Sequence, residues 1–465
     1  MRTLCMTLPG GSIASFILRS STFDVLKSQP NLRIVILTPL IQDEEFVKEF
    51  ASERVIIEDL PLHQPSWGES LALRLARESF VRKTDASTIQ IRLAAAASAR
   101  SRNPLRRIAG LNIKLLRYLP PAFWYRVGDL FVREDLIRSI FVRYAPDLVV
   151  SMKGGLQLWE VPVLKEARQR HISTAVIGLS WDNLTTKLLP LRPADHLVVW
   201  NNQMKYEAMS IQGYREEQVS VCGIPHFDYY HDASRRTPRE VFFRRLGLDP
   251  SQRLIVVATN HDHASRECRM EGLVESLYEA AQKGNFGGPV QVLVRLHPRD
   301  EPAPYRSLGN RPGLVIEKPF HSWTMCGRKE VCYDQEDFLH LADTLYHADI
   351  FVNVFSTIMI EACIFDKPVI NAAFDNDVNR PYLFSARRFT GYTHIKRIID
   401  TGGVRVAHTL DELIALVRFA LEHPDADREG RRRIVEENCY RVDGRSGERQ
   451  AHLILRCLER AAPRP

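Results

Sequence analysis

The sequence predicts an α/β chain of two doubly wound, Rossmann-like halves facing a cleft, with a helical basic insertion in the first half. Three observations carry this. Short apolar, β-branched runs recur through both halves, each followed by a stretch of helical spacing. Many of those runs are apolar throughout rather than alternating, as parallel strands covered on both faces by helices require. At 465 residues the chain also exceeds what one ordinary core accommodates, so two or three domains are expected.

In the first half, residues 2–9 read as a strand, Gly10-Gly11-Ser12 as a tight turn, and 13–28 as a helix with Ile13, Phe16, Ile17, Phe23 and Leu26 at helical spacing. Residues 32–38 and 54–60 are the next strands. The Gly10-Gly11 turn closes a βαβ start where a ligand approaches closely, or serves the turn alone; a full GxGxxG is lacking. Residues 69–144 read as mostly helical and interrupt the alternation. It resumes with strands at 147–151, 173–179, 195–200 and 219–222, and with Gly154-Gly155 after the first of them.

Residues 229–252 are charged and poor in strand character, which places a linker there. The second half restarts at 254–259, followed by the polar loop Asn260-His261-Asp262-His263 and a helix to Ala281. Strands at 290–296 and 314–317 come next, then a helix over 338–348. The chain is organised around residues 341–371, which read as helix, buried strand (350–355), Ser356-Thr357, helix, and a new strand at Pro368-Val369-Ile370. A helix N-terminus at the carboxyl end of a parallel strand offers free N–H groups, and two hydroxyls beside it make a seat for a diphosphate. A capping role for Ser356 is the plainer alternative. Glu361 lies where a carboxylate reaches ribose hydroxyls. Residues 410–461 read as Arg-rich helix.

Composition narrows the class. The chain is 45% hydrophobic and 26% charged, the balance of a soluble globular protein. Its eight cysteines contain no CxxC pair, so neither a disulfide framework nor a zinc site is expected. His261 and His263 with Cys268 do not have a recognised ligand spacing, and no metal is expected. No apolar run suits a signal peptide or a bilayer span, so a reducing cytoplasm is the expected compartment. The net charge of +7 is local. Residues 81–118 hold nine Lys/Arg against Asp85, so the rest of the chain sums to −1. Arg102, Arg106, Arg107, Lys114 and Arg117 stand beside apolar and aromatic residues. The segment reads either as an interfacial helix on an anionic membrane surface or as a solvated insertion. No nucleic-acid motif accompanies the charge, and nucleic acid is not an expected partner.

Several blocks resemble a known family. Gly223-Ile224-Pro225-His226-Phe227-Asp228, Val294-Arg295-Leu296-His297-Pro298, Ala348-Asp349 through Ser356-Thr357 to Lys367-Pro368-Val369-Ile370, and Asp443-Gly444 with Ser446 and Arg449 are similar in order and spacing to the CDP-glycerol glycerophosphotransferases that build teichoic-acid-like polymers. Those enzymes belong to the GT-B fold of nucleotide-sugar glycosyltransferases. One stretch departs. The family's W-H-G-T-P-x-K, with its His as proposed base, is here Trp181-Asp182-Asn183-Leu184-Thr185-Thr186-Lys187. Trp and Lys keep their spacing, but the His is Asp182.

The resemblance implies residues 1–228 as an acceptor domain with the insertion at about 69–144, 229–252 as linker, 253–440 as nucleotide-donor domain, and 441–465 as a terminal helix. Asp182 would be the base and His297 would stabilise charge on the leaving group. Ser356, Thr357, Arg299 and Asn260 would hold the diphosphate, and Glu361 the ribose. Gly10, Gly11, Trp181 and Lys187 would stand on the acceptor side. No cofactor is expected beyond a nucleoside-diphosphate-linked donor as substrate. The function implied is transfer of a sugar, or a polyol phosphate, to a cell-surface polysaccharide or lipid-linked acceptor, from the cytoplasm or the inner face of the membrane. The alternatives are a CDP-glycerol-type glycerophosphotransferase, a nucleotide-sugar 2-epimerase or hydrolase, and a non-catalytic nucleotide-binding scaffold.

Overall fold

The structure, a computed structural model, describes the chain except residues 101–117, 179, 261–267, 319, 377–379 and 462–465. Five of the nine cations of the basic segment, Arg102, Arg106, Arg107, Lys114 and Arg117, therefore lie outside the described residues, as do His261 and His263.

Two parallel sheets form the frame. The first contains β1 (Arg2–Thr7), β2 (Leu32–Thr38), β3 (Val55–Asp59), β4 (Leu148–Ser151), β5 (Ser173–Ile177), β6 (His196–Val199) and β7 (Val219–Val221), in the order β3-β2-β1-β4-β5-β6-β7. The second contains β8 (Arg253–Ala258), β9 (Val290–Arg295), β10 (Leu314–Glu317), β13 (Ile350–Asn353), β14 (Val369–Ala372) and β15 (Arg405–Ala407), in the order β10-β9-β8-β13-β14-β15. Each sheet grows one way and then reverses, at β1/β4 in the first and β8/β13 in the second. Loops leaving the carboxyl ends of strands at such a reversal splay apart and leave a crevice for ligands. The strands are buried on both faces; Leu4, Ile36, Val150, Val256, Val294 and Val352 are at most 1% exposed.

Local structure departs from the sequence reading in three places. Residues 13–28 form two helices, Gly11–Leu18 and Ser21–Ser28, because the chain leaves helical geometry at Ser20, whose hydroxyl donates to the Ile17 carbonyl. The C-terminal helix Ser446–Arg460 returns to the first lobe, where Ala451, Ile454 and Leu458 share a buried cluster with Leu4 and Ile36. The third is an antiparallel hairpin, β11 (His321–Met325) and β12 (Arg328–Cys332), which has no counterpart in the sequence reading.

The hairpin ties the two lobes together. Cys326 and Gly327 both have positive φ, 50° and 73°, the two-residue turn whose twist suits a tight hairpin. Trp323 enters the first lobe's core, 5.0 Å from the Phe46 ring and 6.0 Å from Phe50. Thr324 N–H donates to Asp43 (2.7 Å) and Tyr333 N–H to Ser15 (2.9 Å). Gly11 is required by this contact, since a Cβ there would stand 2.3 Å from the Val331 carbonyl oxygen. Trp323→Ala is expected to cost about 3–5 kcal/mol by removing a buried aromatic. Urea unfolding of the full chain measures it, and a loss below about 1 kcal/mol would deny the hairpin its role as a tie.

Candidate functional site

The unit around β13 sets the site. After Asn353 the chain turns sharply through Phe355, held at φ 49°. Two fully buried asparagines fix that turn: Asn371 Oδ1 accepts from Phe355 N–H (3.1 Å) and Asn353 Oδ1 from Ser356 N–H (3.4 Å). Asn260, at the end of β8, donates to the Val354 carbonyl (2.9 Å). Its amide thus joins the two strands that flank the sheet reversal. The helix that follows, Ile358–Ile364, has only seven residues, so its dipole is modest and the hydroxyls and nearby cations carry more of any anion affinity than the sequence reading assigned.

Ser356, Thr357, His297 and Glu361 converge on one cavity of about 350 Å³ between the lobes. Phe16, Ser180, Trp200 and His226 line it from the first lobe and Tyr333 from the loop after the hairpin. The Phe16 ring stacks on His226 at 4.3 Å and on Tyr333 at 5.5 Å, giving the cavity an aromatic wall. Burial pushes the His226 imidazole down to about 3, so that ring is neutral.

His297 is oriented by its own backbone. Its N–H donates to Thr259 Oγ1 (2.9 Å), and its Nδ1 accepts from Arg299 N–H (3.1 Å). An Nδ1 that accepts leaves the proton of the neutral ring on Nε2, which makes that edge a donor. Glu361 is 9% exposed and accepts a hydrogen bond from the Tyr230 hydroxyl. Burial raises its carboxyl to about 6, against the opposing pull of Tyr230 and Arg295. Arg295 lines the same cavity and pairs with Glu317 (2.8 Å), which also meets His340 (2.8 Å).

The remaining sequence-derived candidates stand around this cavity rather than in its lining. Trp181 crosses the interface: its indole N–H donates to Thr357 Oγ1 (3.3 Å) and its ring meets His394 edge-on at 4.7 Å. Asp182 accepts from the Ser180 hydroxyl and from Thr186 Oγ1 (2.8 Å). Burial opposes its ionisation, but Lys187, His394 and the two hydroxyls outweigh it and hold the carboxyl below its usual range. Arg299 is exposed, and Gly10 and Gly11 face the hairpin, with Glu330 Oε1 3.5 Å from a Cβ at Gly10. The close approach at this glycine turn is made by the protein's own backbone.

Sequence reasoning missed Lys153 and the carboxylate that presents it. Glu160 is fully buried beneath the loop after β4, where it accepts from Thr7 Oγ1 (2.6 Å) and from the N–H groups of Met152 (2.8 Å), Lys153 (3.2 Å) and Gly155 (3.2 Å). Burial, with the nearby Lys187 charge, lowers the Lys153 ammonium, and Arg299 lies close enough to add to that effect. Neither Lys153 nor Lys187 has an ion-pair partner among the described residues. The signal in the sequence was a lone cation two residues past an apolar strand end, next to Gly154-Gly155.

One further group has ligand-like spacing. His321 Nδ1 lies 2.9 Å from Asp337 and 3.2 Å from Asp334, and these three could hold a metal ion. Both carboxylates already serve a reciprocal helix cap, accepting from each other's N–H groups at 2.8 and 2.9 Å.

The family model of the CDP-glycerol:poly(glycerophosphate) glycerophosphotransferases matches residues 156–456. No curated protein matches the chain. Among solved structures it is similar to an S. aureus MnaA–UDP co-structure, with TM-score 0.57 and 12% identity over 100% of this chain and 99% of that one. It is also similar to the UDP-GlcNAc 2-epimerase of Neisseria meningitidis bound to UDP-GlcNAc (TM-score 0.55, 13% identity, 98% and 100% covered). A putative UDP-N-acetylglucosamine 2-epimerase from Listeria monocytogenes gives TM-score 0.55 and 13% identity, with 98% and 95% covered. At such identities the likeness is one of fold, and the fold is GT-B.

Proposed function

The chain belongs to the CDP-glycerol:poly(glycerophosphate) glycerophosphotransferase family, and we propose that it transfers a sugar or a polyol phosphate from a nucleoside-diphosphate-linked donor to a hydroxyl of a cell-surface polysaccharide or glycolipid. The convergence of Ser356, Thr357, His297 and Glu361 on one interlobe cavity is the observation that carries this reading. In it, the Ser356 and Thr357 hydroxyls and the His297 Nε2–H bond the donor's phosphate oxygens, and Glu361 exchanges Tyr230 for the ribose hydroxyls. Arg295, Arg299, Lys153 and Lys187 offset charge on the departing nucleotide. Asp182 takes the proton of the acceptor hydroxyl as that oxygen bonds the transferred group and the bond to the nucleotide phosphate breaks. Trp181, bound across the interface to Thr357, favours the closed arrangement that keeps water from the donor. Nucleotide release that requires an acceptor tests the reading. Release at the same rate without one would favour an epimerase or hydrolase, and binding without release a scaffold.

The Glu361 carboxyl gives a pH signature. Its folded value of about 6 lies above that of the unfolded chain, so its contribution to folding rises as pH falls from about 6 toward 4.5. Donor binding runs the other way, because the ionised carboxylate is the stronger acceptor for ribose hydroxyls. Titration calorimetry with CDP and UDP should show affinity falling as pH drops below about 6, and Glu361→Gln should flatten that dependence. A pH-independent affinity in the native chain would remove Glu361 from the ribose site.

We further propose contact with an anionic membrane surface through the insertion. No helix among the described residues is long and apolar enough to cross a membrane. On either side of the basic segment in the sequence, however, Trp67 is 81% exposed, Leu130 78% and Phe131 48%. Gly68 lies against the Phe131 ring, so Trp67 and Phe131 are neighbours on one surface. Large exposed apolar side chains suit the lipid interface. Trp67→Ala with Leu130→Glu should cut flotation with anionic vesicles severalfold while leaving thermal stability unchanged. Unaltered flotation would exclude this face.

A further inference from the structure

Beyond the donor cavity, on the other side of Trp181, the lobes form a second chamber of about 420 Å³, with the exposed Asn202, Glu436 and Glu437 at its mouth. Its walls come from the helix Asn202–Ser210 of the first lobe, the helix Thr393–Asp400 of the second, and the end of the helix Arg428–Cys439. The two chambers adjoin: Trp200 lines the donor cavity and Asn201 the second chamber, while Trp181 lines the second chamber and bonds Thr357 of the first. The volume falls within the range of small-molecule sites, about 300–1,000 Å³.

Three of its lining residues hold buried polar atoms without a hydrogen-bond partner: Glu207 Oε2, Arg397 Nη1 and His394 Nδ1. Glu207 is 3% exposed and His394 9%. Glu207 spends its other oxygen on Arg397 and Gln203 across and along the interface. A buried polar group left unpaired is costly, and three such groups from two lobes around one space call for an occupant. That occupant must both donate and accept, since a carboxylate oxygen accepts, a guanidinium N–H donates, and burial keeps the His394 imidazole neutral with its value near 4. Arg397 is paired with Glu207, and Glu436 and Glu437 with Arg432 and Arg433, so the walls are charge-balanced and offer no surplus cation for a phosphate. Trp181 and Tyr440 add aromatic surface beside Asn202 and Gln203. The three unpaired atoms have no exposed surface in this arrangement, so an occupant of the chamber reaches them only as the two helices part.

We propose that this chamber binds a neutral, polyhydroxylated group, the sugar or polyol end of the acceptor, with Glu207 and Arg397 pairing to its hydroxyls. The assignment to the acceptor rests on the transferase reading. It deepens that reading by making the acceptor end uncharged, and it puts the hydroxyl to be activated in a chamber whose His394 and Glu207 both feel the Asp182 charge.

Saturation-transfer NMR on the full chain, with CDP present to fill the donor cavity, tests this. The probes are maltose and chitobiose as neutral sugars and a glycerol phosphate trimer as the charged counterpart. Transfer to the neutral sugars is expected, weakened about tenfold by Glu207→Gln and abolished by Gln203→Trp, which fills the chamber without removing a buried charge. The thermal shift given by CDP should be the same in all three proteins. No transfer to either sugar, transfer to the trimer alone, or transfer that survives Gln203→Trp would overturn the proposal. Sugar binding without any CDP stabilisation would instead sink the donor assignment and leave the chamber standing.

Discussion

His297→Ala is expected to lower kcat by about 10²- to 10³-fold, the loss that follows removal of one preorganised donor from a site of developing negative charge. The effect should fall on kcat more than on the donor KM, because charge builds on the leaving phosphate oxygen only as the bond breaks. The geometry supports the size of the effect. The Arg299 N–H holds the ring at Nδ1 and Thr259 holds the backbone N–H of the same residue, so the neutral ring is oriented with its proton on Nε2. Single-turnover rates on a donor and acceptor pair measure it. A change under threefold would mean that the ring makes no contact with the leaving group.

Asp182→Asn is expected to cost about 10²- to 10⁴-fold, the usual worth of a positioned base. Folding should be little affected, because Thr186 Oγ1 also donates to the Asp182 backbone carbonyl (2.8 Å) and keeps that bond in the variant. The pH profile separates a base from a structural anchor. The native carboxyl is held below its usual value, with burial outweighed by Lys187 and His394, so it stays ionised throughout the neutral range and gives no acid limb there. Asp182→His restores a base of a different kind. Activity should partly return and should now fall as pH drops through about 6.5, where an ordinary imidazole protonates. An inactive His variant alongside a fully active Asn variant would remove position 182 from the chemistry.

These expectations draw on features of unequal legibility. The β13–Ser356–helix unit was readable because each piece is local: an apolar β-branched run, two hydroxyl residues, a helical stretch and Lys367-Pro368 to end it. The reversal of strand order at β8/β13, which opens the crevice there, is a property of the whole sheet and follows only from the pairings. The hairpin carried a local signal that went unread, the alternation in His321–Met325 and Arg328–Cys332 around Cys326-Gly327. Its destination was not legible, since nothing near Trp323 in sequence says that its ring fills the first lobe's core. The resemblance implies an acceptor-side place for Trp181, and its partners Thr357 and His394, from the other lobe, stand 176 and 213 positions further along the chain, which no local pattern reveals. Glu207, Arg397 and His394 gave no signal at all, because each is an ordinary helical residue until two helices from different lobes meet.

The central claim is that a nucleotide's phosphates sit between Ser356 and His297, and a structure of the chain with CDP or UDP tests it most directly. The phosphate oxygens are expected within hydrogen-bond distance of the Ser356 and Thr357 hydroxyls and of His297 Nε2, with a ribose hydroxyl on Glu361 in place of Tyr230. A nucleotide seated on the first lobe alone, or one whose phosphates leave Ser356 and His297 untouched, would contradict it.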